Sequence, residues 1–142
     1  MRQINTIYVH CTASQPSASV FAIREEFRRK GWKNPGYHYL IEASGKITQL
    51  LDDSKIANGV KGHNKDGLHV AYIGGIEANG TPKDTRTEEQ KHSLRVLLKV
   101  LHGLYPKAHI MGHRDIWGKN PAKWQKSCPC FDAEKEYKDM QP

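Results

Sequence analysis

The stretch Ile4-Asn5-Thr6-Ile7-Tyr8-Val9-His10-Cys11, "INTIYVHC", is dense in β-branched and aromatic residues and closes on a histidine and a cysteine. That composition predicts a strand over 4–11. A polar stretch, "TASQPSAS", separates it from an amphipathic helix predicted over 18–30, with Val20, Ile23 and Phe27 at helical spacing and Gly31 as its stop. Strand followed by helix is the alternation that decides the fold, and it continues along the chain. "GYHYLIEASGKITQLL" (36–51) reads as two strands about a Ser44-Gly45 turn, and "LHVAYIGG" (68–75) as another strand. Between them, 52–67 is a long polar, glycine-containing loop, a feature that tends to be functional in a compact domain. "TEEQ" (87–90) is a capping box opening a helix striped by Leu94, Leu97, Leu98, Leu101 and Leu104, which Pro106 ends. A short strand, "AHIMGH" (108–113), and a last helix capped by Asp132 complete the series. The expected architecture is α/β, a single domain over 1–142 with a central mixed sheet and helices packed on it.

Composition narrows the function classes. The 142 residues, 37% hydrophobic and 26% charged, describe a soluble globular chain. No apolar run approaches the roughly 20 residues of a membrane span, and the N-terminus has no apolar h-region. The expectation is therefore a protein cytoplasmic when made, with no membrane partner. Twenty-two Lys and Arg against fifteen Asp and Glu give +7, a balance that favours anionic partners such as nucleic acid, anionic lipid or a bacterial wall. The basic residues are dispersed. The run "RRK" (28–30) falls at a helix end, where cations complement the dipole. There is no recognition helix, zinc-finger spacing or aromatic-basic platform, so no nucleic acid is expected.

Eight histidines are many for this length. His92 and His102 fall within the long helix and read as surface or packing residues. His10 and His113 instead stand at strand ends, where α/β sheets gather functional groups. Three cysteines make no disulfide framework. Adding Cys128 to His10 and His113 gives three ligands and an open position, the pattern of a catalytic zinc site, although ligands so far apart in sequence carry no spacing signal. In "KSCPC" (126–130), a Cys128–Cys130 disulfide would be too tight, and two ligands from this pair would fill the open position. One ligand and one bystander remain. Read singly, Tyr37 is a core or edge residue and Lys126 a solvated charge. His38 should face away from Tyr37, Cys11 away from His10, and Thr12 and Ser14 form turns.

Taken in order, "YVHCTAS" with His10, "GYHYLI" with Tyr37, "VAYIGG", "GHRD" with His113 and "KSCP" with Lys126 and Cys128 resemble the zinc-dependent N-acetylmuramoyl-L-alanine amidases, the superfamily that includes the peptidoglycan recognition proteins. The nearest likeness is to the bacteriophage lysozyme-type amidases, and it runs from residue 4 to about 135. The resemblance implies one zinc ion in a surface cleft, with His10, His113 and Cys128 as ligands and Tyr37 and Lys126 as catalytic residues. It makes His63 a candidate substrate contact and Cys130 the bystander. It implies hydrolysis of the amide between N-acetylmuramic acid and L-alanine in peptidoglycan, by a monomeric endolysin that reaches the wall after release. A toxin delivered by a secretion system would look the same. Two further readings come with it: a non-catalytic module binding peptidoglycan or inhibiting a protein, and a regulatory protein partner, since amidases of this type can also restrain a polymerase. Arg114 and Asp115 are candidates to orient the His113 ring. Two departures stand out. "RDIWGKNPAKWQKS" (114–127) offers a rim of two tryptophans and three lysines, and "GLHV" (67–70) replaces a more usual Ser-Ile-Gly-type stretch.

Overall fold

The computed structural model describes residues 2–142. Five strands, β1 (Thr6–Cys11), β2 (Tyr39–Ile41), β3 (Ile47–Gln49), β4 (Gly67–Tyr72) and β5 (His109–Gly112), form one sheet in the order β3-β2-β4-β1-β5. β1 runs parallel to both its neighbours, β2 runs parallel to β4, and only β3 is antiparallel, so the sheet is mixed as expected. Parallel strands need crossovers, and helices α1 (Val20–Arg29) and α2 (Glu88–Leu104) supply them. A short α3 (Ala133–Glu136) follows β5.

Alternation along β1 and β4 splits the sheet into two unlike faces. Ile7, Val9, Cys11, Leu68, Val70, Tyr72 and Ile110 pack against Leu94, Leu97, Leu98 and Leu101 of α2 and against Phe131, Tyr137 and Met140. On the opposite face, Leu40, Ala71 and Ile73 meet Ile23 and Phe27 of α1. The same face also carries Tyr8, His10, His38 and His69, each buried. A central strand with polar side chains on one face needs partners for them, and the site is built from that need.

The helix termini follow the sequence signals. Ser19 caps α1 by accepting from the Ala22 N–H, and Arg28 and Arg29 fill its last turn. At α2 the Thr87 hydroxyl accepts from Gln90 N–H while the Gln90 side chain accepts from Thr87 N–H, both at 3.0 Å. The buried Gln90 amide also donates to Ile41 O at 3.2 Å and Ile73 O at 3.0 Å. One glutamine therefore closes the helix cap and satisfies the ends of two strands.

The predicted elements are shorter in the structure, α1 within 18–30 and β2 and β3 within 36–51, and three other strand boundaries differ. The strand predicted from residue 4 begins at Thr6. The strand predicted over 68–75 stops at Tyr72, because Gly74 and Gly75 take φ of +142° and +102° and turn the chain away. A Cβ on Gly75 would sit 2.5 Å from the Cys11 sulfur, so glycine is required there for close approach. The strand predicted through His113 ends at Gly112, and His113 opens a 3-10 turn running to Trp117.

Gln90→Ala should cost about 1–3 kcal/mol, since it removes the side-chain half of the capping box and takes a donor from two buried carbonyls, of which Ile41 O keeps its bond from Ile73 N–H. A urea unfolding midpoint within error of the parent protein's would contradict that bridging role.

Candidate active site

The β1–β5 register pairs Val9 with Gly112, so the next step along each strand brings His10 beside His113. Their ring centroids lie 5.0 Å apart, nearly edge to face. Cys128 arrives from the loop after the 3-10 turn, and that loop is pinned. Arg114 N–H donates to Cys128 O at 2.8 Å, and the Tyr72 hydroxyl donates to Pro129 O at 2.7 Å. A Cβ on Gly112 would meet the Pro129 ring at 2.6 Å, so the loop seats only against a glycine. The Cys11 backbone N–H points at the Cys128 sulfur at 3.2 Å, the kind of donor a thiolate ligand needs.

The ligand atoms of His10, His113 and Cys128 all lie within 4.8 Å of one another, and all three residues are buried. His10 Nδ1 is 3.8 Å from Cys128 Sγ. Two such ligands on one tetrahedral zinc would stand about 3.5 Å apart. Two imidazoles and a soft sulfur thus fit zinc in both chemistry and separation. Burial pulls His10 far below the ordinary histidine pKa, with the charges of His69, His113 and Lys126 acting the same way. His113 is lowered to about 4, by burial and then by Lys126. Both rings are therefore neutral near pH 7, the form that donates a lone pair to a metal.

Tyr37 and Lys126 line the same cavity of about 180 Å3 as the three ligands. The Tyr37 ring packs 5.1 Å from His10, and its hydroxyl donates to Cys11 O at 3.3 Å. Burial pushes the phenol well above its ordinary pKa, and the neighbouring Cys128 and Cys11 push the same way, so Tyr37 keeps its proton. Lys126 is exposed at the mouth. A wider cavity of about 700 Å3 continues from it, where Trp32, Lys61, His63 and Trp117 stand around His113 and Lys126. His63 is exposed on that rim.

Other expectations are corrected. Neither Arg114 nor Asp115 orients the His113 ring, which stacks on Trp117 at 5.5 Å. The Asp115 carboxylate turns back to accept from Gly112 N–H at 2.8 Å and pairs with Lys119. Arg114 lies over the Trp124 ring at 3.9 Å. The aromatic and basic rim is accordingly smaller than the sequence offered. Trp124 is engaged by Arg114 and donates to Gly118 O, while Lys119 is held by Asp115, Asp132 and Glu134. Cys130 stands outside the ligand cluster, its thiol directed at Gly75 O at 3.5 Å. One buried polar residue at the site went unassigned in the sequence. His69 touches His10 at 2.9 Å, and the only signal for it was the departure "GLHV".

The chain is similar to known proteins in sequence and in fold. The family model described as N-acetylmuramoyl-L-alanine amidase matches residues 1–131. The endolysin of Enterobacteria phage K11 is 33% identical over 136 residues, which is 94% of this chain and 85% of that protein. The endolysin of Escherichia phage T7 is 32% identical over 133 residues, covering 92% and 83% of the two chains. Among solved structures, the endolysin of a Thermus scotoductus bacteriophage superposes with a TM-score of 0.76 at 23% identity, over 99% of this chain and 86% of that one. That last likeness speaks to the fold.

Neutral buried imidazoles set a pH dependence. His10, His38, His69 and His113 are all lowered from 6.5, in each case chiefly by burial. Below the unfolded value the unfolded chain binds more protons than the folded one, so stability falls as pH falls. His113 alone contributes roughly 3 kcal/mol of that loss between pH 6.5 and about 4. The thermal midpoint of the chelator-treated protein should drop steadily across this window. A flat profile would mean that the imidazoles are not held neutral.

Proposed function

The chain belongs to the N-acetylmuramoyl-L-alanine amidase family, and from that premise we propose that it hydrolyses the amide between the lactyl group of N-acetylmuramic acid and L-alanine with one zinc ion. The observation that carries this reading is the convergence of His10, His113 and Cys128 on one point of a cleft that Tyr37 and Lys126 also line. Zinc bound there supplies Lewis acidity toward the scissile carbonyl and lowers the pKa of the attacking water.

The protein's own groups do the rest. Addition of water to the amide carbon builds negative charge on the carbonyl oxygen, which then collapses as the C–N bond breaks and the amine leaves with a proton. Donors and cations aimed at that oxygen lower the barrier. Tyr37 keeps its proton and is already a donor, so its role is to hydrogen-bond the developing oxyanion. Lys126 brings a positive charge to the mouth of the same cavity and offsets the oxygen's charge from the solvent side. The wider cavity, with Trp32, His63 and Trp117, gives faces and donors for the glycan and stem peptide on either side of the bond. A non-catalytic binding module would have no need of a third soft ligand beside a protonated tyrosine and a lysine. The setting proposed is that of an endolysin, acting on peptidoglycan as a monomer after release from the cell that makes it. None of the described helices is long and apolar enough to cross a membrane.

Purified protein should carry one zinc, and Cys128→Ala should lose it together with activity; a variant that keeps metal and turnover would remove Cys128 from the ligand set. Digested walls should gain free L-alanine amino termini with no new reducing sugar ends, and the reverse pattern would make the protein a glycosidase. Lys126→Ala should hold its zinc while kcat falls about 10²–10³-fold, the usual cost of one oxyanion-stabilising group. Full turnover in that variant would exclude the lysine from the mechanism.

A further inference from the structure

The sheet face opposite α2 carries a buried ring that the chemistry above does not use. His69 is fully buried on β4, directly across from Tyr8 in the β1–β4 register. Its imidazole lies nearly parallel to the Tyr8 ring, at 5.2 Å and 11°, and to the His38 ring, at 5.8 Å and 4°. Stacked between the two, it has little freedom to turn. Its Nδ1 stands 2.9 Å from His10 Nε2.

The two nitrogens of His10 therefore face different partners, Nδ1 toward Cys128 and Nε2 toward His69. A neutral imidazole carries one proton, and a metal ligand must leave its metal-facing nitrogen bare. His10 can ligate through Nδ1 only with its proton on Nε2, and that proton needs an acceptor. His69 Nδ1 is that acceptor. The assignment puts the His69 proton on its own Nε2, which is buried and has no hydrogen-bond partner among the described residues. An apolar ring at this position would leave no such orphan, but it would offer His10 Nε2 no acceptor.

The loop over the ring is shaped to admit it. A Cβ on Gly59 would lie 2.2 Å from His69 Nδ1 and 2.5 Å from its Cγ. Gly59 also lines the cleft, so His69 sits immediately behind the cleft wall. Behind it, His38 Nδ1 accepts from the His69 backbone N–H at 3.1 Å, and His38 Nε2 meets Lys55 O at 2.8 Å. This fixes the strand that carries the ring.

We propose that His69 is a positioning residue for His10, accepting the proton on His10 Nε2 and so presenting His10 Nδ1 to the ion shared with His113 and Cys128. The proposal rests on the three-ligand zinc reading given above. It assigns a partner on β4 to a ligand on β1, which explains a polar pair at the centre of the sheet.

The test uses zinc itself as probe. His69→Phe keeps the stacked ring and removes the acceptor, and it should weaken zinc binding about 10–100-fold in competition with a chromophoric chelator. His69→Gln, whose side-chain oxygen can accept the same proton, should recover much of that loss, with cooperative unfolding of both zinc-free variants showing that they are folded. Long-range proton–nitrogen correlation on the unmutated, zinc-free protein should show the His10 proton on Nε2. His10 protonated on Nδ1, or a His69→Phe protein that binds zinc as tightly as the parent, would overturn the proposal. The two readings fail separately: a parent protein that takes up no zinc defeats the three-ligand site, whereas a parent that binds one zinc, with Cys128→Ala binding none and His69→Phe unaffected, defeats only the positioning role.

Discussion

The structure depends on β1 having a parallel neighbour on each side. Parallel pairing sends the C-terminal ends of β1, β4 and β5 to one edge, and loops leaving that edge can converge. Register then does what sequence spacing cannot. Val9 opposite Gly112 makes His10 and His113 neighbours although they stand 103 positions apart in the chain. A slip of one residue would send His10 to the α2 face and expose a core position to the cleft. The apolar face of β1, Ile7, Val9 and Cys11 against the leucines of α2, is therefore what aims His10 into the cleft.

The same division explains why so many polar groups tolerate burial. Tyr8, His10, His38 and His69 share the second face, and each ring is stacked on or hydrogen-bonded to another of the set. Desolvation keeps the histidines neutral, and neutrality is what a stack of imidazoles and a metal site both require. Just beyond the ligand loop, the buried Arg86 guanidinium pairs with Asp84 and Glu136 over the Phe131 ring. That network anchors the segment beyond Cys130, so the ligand loop is held from both sides.

Much of the fold was legible because its signals are local. The Thr87–Gln90 box, the leucine stripe and the Asp132 cap are each written within a few residues, and each helix starts where they place it, whereas the helix predicted from residue 18 starts at Val20, after Ser19. Strand ends were misplaced where the deciding contact is distant, as at Gly75, whose turn exists to clear the Cys11 sulfur. The cluster of His10, His113 and Cys128 was legible only through the ordered motifs, since nothing in their spacing reports a shared register. Arg114 and Asp115 were misassigned because adjacency to a ligand in sequence says nothing about which way a 3-10 turn points its side chains. His69 escaped because a histidine in an apolar strand has no local signature, and its meaning lies in a ring on the neighbouring strand.

The ligand set has a further consequence through chain connectivity. His10 belongs to the first strand and Cys128 to the loop before the last helix, a separation of 118 residues. An ion held between them ties almost the whole polypeptide into one closed loop, and the entropy of opening so long a loop grows only slowly with its length but is large at the outset. A metal bound there would act as a clasp on the domain as well as a reagent, and its free energy of binding would be shared with folding. A protein closed this way would resist fraying from either terminus for as long as it held the ion.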